Sequence, residues 1–118
     1  MKERRRDPRT KEENKVVLTP ADAGGGSPRG TYYSLTKDIS VGGIRIMTDA
    51  PLEVDSRVGL EITLTKSRTR IRAVARVCWV KELFDKDVFE TGLEFTEIDP
   101  DDRLALMDHL YGKAKPWE

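Results

Sequence analysis

The sequence of 118 residues has few of the side chains that build disulfides, metal sites and acid–base catalytic centres. Cys78 is its one cysteine and His109 its one histidine. A single cysteine cannot form a disulfide within the chain, and an isolated histidine cannot assemble a metal site of the usual kind. The scattered carboxylates form no acid–base constellation with that histidine. We therefore expect no metal, no cofactor and no enzymatic activity.

The chain also lacks a long apolar run. No segment approaches the roughly 20 apolar residues of a membrane helix, and no hydrophobic leader follows the N-terminal charges. These absences predict a soluble, cytoplasmic protein without membrane insertion. The formal net charge is zero and aromatic residues make up 7% of the chain, which argues against a nucleic-acid partner. The length is typical of one domain with one core.

Charge is unevenly distributed along the chain. Residues 1–15 carry seven basic and four acidic side chains, a net charge of +3, which leaves −3 for the remainder. This first segment has no apolar periodicity and is predicted to be a flexible basic arm rather than a packed element. A basic arm beside a mildly acidic body indicates an anionic ligand site or a contact between the two.

The alternation of apolar and polar residues predicts a β-barrel over residues 16–98. It is clearest over 58–64, and over 70–80 it gives one apolar and one basic face. A strand over 31–36 places Tyr33 and Leu35 on one face. Several short strands separated by turn signals favour an antiparallel barrel over alternating strand–helix units.

A helix is predicted over 99–112, followed by a tail over 113–118. Asp99 can cap this helix and Pro100 fits its first turn. We expect a broad apolar stripe to pack on the barrel, formed by Leu104, Leu106, Met107, Leu110 and Tyr111. His109 lies among charged residues and is predicted to be a surface residue.

Two short segments carry chemical information, and the first is the predicted turn over residues 38–43. Asp38 and Ser40 offer an acceptor and a small hydroxyl at a strand end. Gly42 and Gly43 permit positive φ and let a bulky ligand approach the backbone. Taken alone, the segment fits an Asx-type turn leading into a hairpin equally well.

The second segment is the arginine cluster over residues 4–9. Arginine pairs bidentately with phosphate and with the O6/N7 edge of guanine, and it stacks on bases. Arg5 and Arg9, four residues apart, would clamp one ligand, with Arg4 and Arg6 beside them. Taken alone, the cluster fits a solvated basic tail.

Together, the R-x-x-x-R of Arg5 and Arg9 and the D-x-S-x-x-G of Asp38, Ser40 and Gly43 resemble the signature of the PilZ family. Residues 92–95 in the last strand and the final helix extend the resemblance over about residues 4–111. It implies a six-stranded antiparallel PilZ-type β-barrel with a C-terminal α-helix. The arm, the barrel and the helix then form one PilZ domain.

The resemblance also implies a function: non-catalytic binding of cyclic di-GMP, a bacterial second messenger. The two motif arginines would contact guanine edges and phosphates, and the acid and serine of the turn would contact a guanine. The implied ligand-binding residues are Arg4, Arg5, Arg6, Arg9, Asp38, Ser40, Gly42, Gly43 and Trp79. Ligand-induced ordering of the arm would signal to a partner protein in motility, biofilm or exopolysaccharide control.

Some alternatives remain open at this point. Strict alternation places Trp79 in the core with Val77, unless a β-bulge turns it towards a ligand. Asp7, inside the arginine motif, dilutes its positive charge. The resemblance implies one or two ligand molecules per domain, and Arg4, just before the motif, favours two. A second possible function is a protein-interaction adaptor of the same fold that binds the nucleotide weakly or not at all.

Overall fold

The computed structural model describes residues 11–20, 32–83 and 88–111. Within these ranges the chain forms six strands and then one helix: β1 (Lys15–Pro20), β2 (Tyr32–Ser40), β3 (Gly43–Thr48), β4 (Arg57–Leu64), β5 (Thr69–Leu83), β6 (Val88–Ile98) and α1 (Pro100–Tyr111). The strands close a barrel in the order β1-β2-β3-β6-β5-β4, with every neighbouring pair antiparallel. The predicted six-stranded barrel with a C-terminal helix is confirmed.

The barrel interior is filled by the alternating apolar residues of its strands. The buried positions of β4 and β5 follow the predicted period of two and comprise Val58, Leu60, Ile62, Leu64, Ile71, Ala73, Ala75 and Val77. Full burial of one such aliphatic side chain larger than alanine stabilises the fold by about 1.5–3 kcal/mol. Leu106 of α1 joins the same cluster, so the helix is packed on the barrel.

Strand β2 buries three polar residues besides the apolar Ile39, which the sequence did not predict. Tyr33 and Leu35 share a face as expected, but that face points outward, and Tyr33 is 79% exposed. Thr36, Asp38 and Ser40 are buried instead. The pairing with β3 shifts in register between Thr36 and Asp38, and this irregularity changes which residues of β2 point inward.

Thr91 of β6 is a polar residue inside the apolar part of the barrel. It is fully buried opposite Ile46, and its hydroxyl has no hydrogen-bond partner among the described residues. Replacing Thr91 with valine removes an unsatisfied polar group and should raise the free energy of unfolding by about 1 kcal/mol in a urea titration. The matched control is Thr36→Val.

Thr36 is equally buried, but its hydroxyl donates to the Glu12 carbonyl and accepts from the Asn14 amide. The same substitution there leaves buried partners unsatisfied and should lower the free energy of unfolding by about 1–3 kcal/mol. A loss of stability at both positions would contradict the assignment of Thr91.

The helix packs through a narrower face than predicted. Leu106 is fully buried, with Ala105 and Leu110 partly buried beside it, whereas Leu104 is 63% exposed and Met107 is also exposed. The inclusion of these last two in the packing stripe was therefore wrong. Asp99 precedes the helix as predicted, and its carbonyl accepts from the Arg103 amide. No helix in the described ranges is long and apolar enough to cross a membrane.

The end of the predicted arm, residues 11–14, is attached to the barrel. Asn14 is buried, its amide donates to the Thr36 hydroxyl, and its side-chain carbonyl accepts from the Thr65 amide at 2.9 Å. The Glu12 carbonyl accepts from the same Thr36 hydroxyl at 2.7 Å. The predicted unpacked arm, residues 1–15, was therefore too long at its C-terminal end, because residues 12–14 already contact β2 and the turn after β4.

His109 is buried against this attachment, so its prediction as a surface residue was wrong. Its Nε2 lies 2.5 Å from Glu12 Oε2, and its Nδ1 lies 3.2 Å from the Ser67 hydroxyl. The side chains of His109 and Glu12 are only 5% and 9% exposed. The pair joins the last turns of the helix to the segment that precedes β1.

Candidate functional site

A groove of about 680 Å³ lies where the turn between β2 and β3 faces β5 and β6. Five of the predicted ligand-binding residues line it: Asp38, Ser40, Gly42, Gly43 and Trp79. Seven further residues complete its walls: Ile44, Arg45, Arg76, Cys78, Gly92, Leu93 and Glu94. The fold therefore brings one half of the predicted signature together with side chains from two other strands.

The predicted turn over 38–43 is shorter than expected. Asp38 and Ser40 belong to β2, β3 begins at Gly43, and only residues 41 and 42 form the turn itself. The Ser40 hydroxyl accepts from the Gly42 amide at 3.3 Å and donates to the Gly43 carbonyl at 3.4 Å. These long contacts hold the serine side chain towards the turn.

The two glycines of the turn have different roles, and neither adopts the left-handed backbone conformation that glycine permits. A Cβ on Gly43 would lie 2.1 Å from the Leu93 carbonyl oxygen, so the close approach of β3 to β6 requires glycine. A Cβ on Gly42 would meet nothing within 4 Å. Gly42 therefore leaves open space beside the groove.

Asp38 is held by an ion pair across the β2–β3 hairpin. Arg45, its cross-strand partner, donates from Nη2 to Asp38 Oδ2 at 2.5 Å and from Nη1 to Glu90 Oε2 at 2.9 Å. The Asp38 side chain is 5% exposed, whereas that of Arg45 is 33% exposed. A guanidinium therefore lies between two carboxylates at this end of the groove.

Trp79 lies in the groove because of a β-bulge in β5. Val77 pairs with Leu93 and Trp79 pairs with Gly92, so Cys78 is the extra residue and the alternation reverses after it. The core position that strict alternation predicted is wrong, since Trp79 is 41% exposed. A Cβ on Gly92 would lie 2.3 Å from the indole, so the ring packs directly over the Gly92 backbone.

The sequence is similar to one known protein family over nearly its whole length. The model of the PilZ domain matches residues 3–112. This chain belongs to the PilZ domain family. The match includes the arginine motif as well as the groove residues.

Several solved structures have the same fold, and one of them is an isolated PilZ domain. The Bacillus subtilis inhibitor of motility MotI/DgrA superposes with a TM-score of 0.76 at 22% identity, covering 94% of this chain and 51% of that one. The PilZ domain of Escherichia coli YcgR, solved with c-di-GMP, has a TM-score of 0.70 at 17% identity and covers 93% and 91%. The K. pneumonia MrkH–c-di-GMP complex has a TM-score of 0.66 at 24% identity and covers 96% and 55%.

The chain thus spans about half the length of MotI/DgrA and of MrkH, but nearly all of the isolated YcgR domain. No curated protein matches it significantly. Arg4, Arg5, Arg6 and Arg9, the other half of the predicted PilZ signature, lie outside the described residues.

The sequence reasoning missed Arg76 as a groove residue of this PilZ domain. It lies on the basic face predicted over residues 70–80, as do Arg70 and Arg72, which are well exposed. Arg76 instead donates from Nη1 to Asp55 at 2.7 Å and from Nη2 to Glu94 at 3.0 Å. These hydrogen bonds raise its pKa and commit its guanidinium to two carboxylates.

Cys78, the bulge residue, presents an unreactive thiol. Burial raises the pKa of this thiol, the charge of Arg76 partly offsets that increase, and the charge of the Glu94 carboxylate adds to it. The thiol lies 3.8 Å from both the Arg76 carbonyl and Glu94 Oε1. In the described ranges, no three metal-ligating side chains cluster.

A second groove, of about 780 Å³, runs between β5, β6 and the start of α1. It contains none of the predicted site residues, although three arginines line it: Arg70, Arg72 and Arg103. The first two pair with Glu61, and the Asp102 carboxylate accepts from the Arg72 amide. This mixed charge gives no preference for an anion, so we place the site in the first groove.

Proposed function

We propose that this PilZ domain is a cytoplasmic, non-catalytic receptor for c-di-GMP, which binds between the N-terminal arginines and the groove. One observation carries the proposal: the groove brings Asp38 and Ser40 beside the exposed ring of Trp79. Support also comes from the neighbours YcgR and MrkH, whose structures contain c-di-GMP.

The groove fits a guanine in three respects. The Asp38 carboxylate can accept from the N1–H and N2–H₂ donors of a guanine edge, since a carboxylate has about four acceptor positions. Gly42 leaves open space that a flat base can fill. Trp79 offers an aromatic face on which a base can stack.

The phosphate charges of the ligand require the arm. Within the described groove, Arg45 and Arg76 each already pair with two carboxylates, so neither provides a free positive charge. We assign the phosphate contacts to Arg5 and Arg9, with Arg4 and Arg6 as additional cations. Arginine suits this role because it binds phosphate bidentately and stacks on bases.

Isothermal titration calorimetry with c-di-GMP tests the proposal. Wild type should bind, and Arg9→Ala should weaken binding at least about tenfold, because hydrogen bonds to charged groups contribute roughly 1.5–3 kcal/mol. Arg57→Ala is the matched control, since Arg57 pairs on the surface with Glu97, outside the groove. GTP should not compete. Absence of heat with wild type would refute the receptor function.

Trp79 gives an independent optical test. The chain has two tryptophans, so Trp117→Phe leaves Trp79 as the sole indole fluorophore. Stacking of a guanine should quench its emission on titration with c-di-GMP. Trp79→Ala should weaken binding about tenfold, since base–aromatic stacking contributes roughly 1–3 kcal/mol. Unchanged emission and affinity would place the ligand elsewhere.

Signalling would follow from ordering of the arm. We propose that ligand closes residues 1–10 onto the groove and so presents a new surface to a partner protein in motility, biofilm or exopolysaccharide control. NMR amide signals of residues 1–10 should shift on ligand addition while those of β4 stay unchanged. Arm signals that remain unchanged while the ligand binds would contradict this mechanism.

The second candidate is an adaptor that binds nucleotide weakly or not at all. The pairing of Arg45 with both Asp38 and Glu90 favours it, because a cation already paired with two carboxylates attracts an anionic ligand weakly unless the arm compensates. If Arg9→Ala retained its affinity for c-di-GMP, the positive charge of the arm would not be needed for binding. Equal binding of single-stranded RNA and c-di-GMP would indicate a generic anion site and contradict the expectation of no nucleic-acid partner.

A further inference from the structure

The groove holds one arginine whose position does not suit a phosphate contact. Arg45 bridges two neighbouring strands, with its guanidinium between Asp38 of β2 and Glu90 of β6. Its Nε is buried and has no hydrogen-bond partner within the described ranges. A buried donor costs stability unless it is hydrogen-bonded.

We propose that Arg45 is a positioning residue that holds the Asp38 carboxylate for recognition of a guanine edge. This inference rests on the proposed function and assigns a role to a residue outside the two motifs. The bridge to Glu90 fixes the guanidinium, and the guanidinium fixes the carboxylate. Asp38 is then presented to the groove as a charged acceptor of constrained orientation.

The charge of the cluster supports positioning over direct ligand contact. Both terminal nitrogens of Arg45 already donate to carboxylates, so a phosphate would have to displace one of them. A carboxylate only accepts hydrogen bonds, so Asp38 suits the N1–H and N2–H₂ donors of guanine rather than a phosphate. Hydrogen bonds to an ionised acceptor are roughly twice as strong as neutral ones, so a constrained carboxylate discriminates effectively between purines.

The test compares two ligands that differ in one of these donors. Cyclic di-IMP has the phosphates, sugars and purine faces of c-di-GMP but lacks the N2 amine. Dissociation constants for both ligands are measured by calorimetry for wild type, Arg45→Gln and Arg45→Lys. Arg57→Gln, an arginine with a single surface partner, is the matched control.

Wild type should prefer c-di-GMP by about tenfold, the order expected for a well-placed polar contact to a base edge. In Arg45→Gln the ratio of the two dissociation constants should fall towards one, mostly because the affinity for c-di-GMP is lost. Arg45→Lys keeps the charge without the planar fork and should lose part of the preference. The control should retain it fully.

Three outcomes would overturn the inference. Equal weakening of both ligands in Arg45→Gln, with the preference retained, would mean that Arg45 contacts phosphate or acts only through stability. A full preference in Arg45→Lys would overturn it even if Arg45→Gln does not fold. A wild type that binds neither ligand would refute the proposed function as well. Variants that bind both ligands with an unaltered preference for c-di-GMP would refute only this inference.

Discussion

Gly43→Ala should lower the free energy of unfolding by about 3 kcal/mol, the upper part of the range for overpacking a tight interior. The added Cβ would lie 2.1 Å from the Leu93 carbonyl oxygen, which is backbone and cannot rotate away. The β3–β6 pairing, in which Gly43 lies opposite Glu94 and Ile44 opposite Leu93, would have to separate to accommodate it. Urea denaturation followed by circular dichroism measures the loss.

Gly42→Ala is the matched control, because it adds the same methyl group one residue earlier. Its Cβ would meet no atom within 4 Å, so the free energy of unfolding should change by no more than about 0.5 kcal/mol. The methyl group would enter the open space beside the groove, so c-di-GMP affinity should fall in Gly42→Ala although the fold is intact. Equal stability loss in the two variants would show that the close approach at Gly43 is not the cause.

The barrel itself could be predicted because its core depends on local alternation. The apolar residues of β4 and the first part of β5 repeat with a period of two, and nearly all of these positions are buried. The turn residues between them define where each strand ends. Such patterns are contained in short segments of sequence and do not require knowledge of distant contacts.

Trp79 was misplaced because its orientation depends on strand register. The extra residue, Cys78, is identified only when β5 is aligned against β6, where Val77 faces Leu93 and Trp79 faces Gly92. Neither Gly nor Pro marks the bulge within β5 itself. The one signal available was Gly92 on the partner strand, which leaves room for a large neighbouring ring.

His109 and Arg45 were misjudged or missed because their partners are distant or belong to another element. The partner of His109 is Glu12, 97 residues away, and no local pattern links the two. Arg45 alternates with apolar residues and resembles an ordinary solvent-facing position of a strand. Its pairing with Asp38 could have been inferred from the short hairpin between them, since the two are direct cross-strand partners.

Glu12→Ala should lower the free energy of unfolding by about 1–3 kcal/mol, the range for leaving a buried hydrogen-bonding group without its partner. The substitution leaves the buried His109 ring without its carboxylate and removes the acceptor of the Asn14 side-chain amide. Glu13→Ala is the matched control, because the Glu13 side chain is exposed and only its carbonyl contacts the barrel. Thermal and urea denaturation should separate the two variants clearly.

The contribution of Glu12 should also depend on pH. Burial alone would raise the pKa of Glu12, but the hydrogen bonds from His109 and Asn14, with the charges of His109 and Lys66, lower it below the ordinary value of 4.5. A carboxylate with a lowered pKa in the folded state stabilises the fold fully above its unfolded pKa. That stabilisation is lost as the pH falls through the folded pKa, so wild type should lose stability in this acid range.

Glu12→Gln should therefore show a shallower dependence of stability on pH below 4.5 than wild type, while Glu13→Gln should follow wild type. A double-mutant cycle with His109→Gln isolates the coupling between the two side chains. Additive losses, or an acid dependence unchanged in Glu12→Gln, would mean that the buried pair does not stabilise the fold. A strong coupling would establish that the segment just after the arginine motif is fastened to the C-terminal helix by these two side chains.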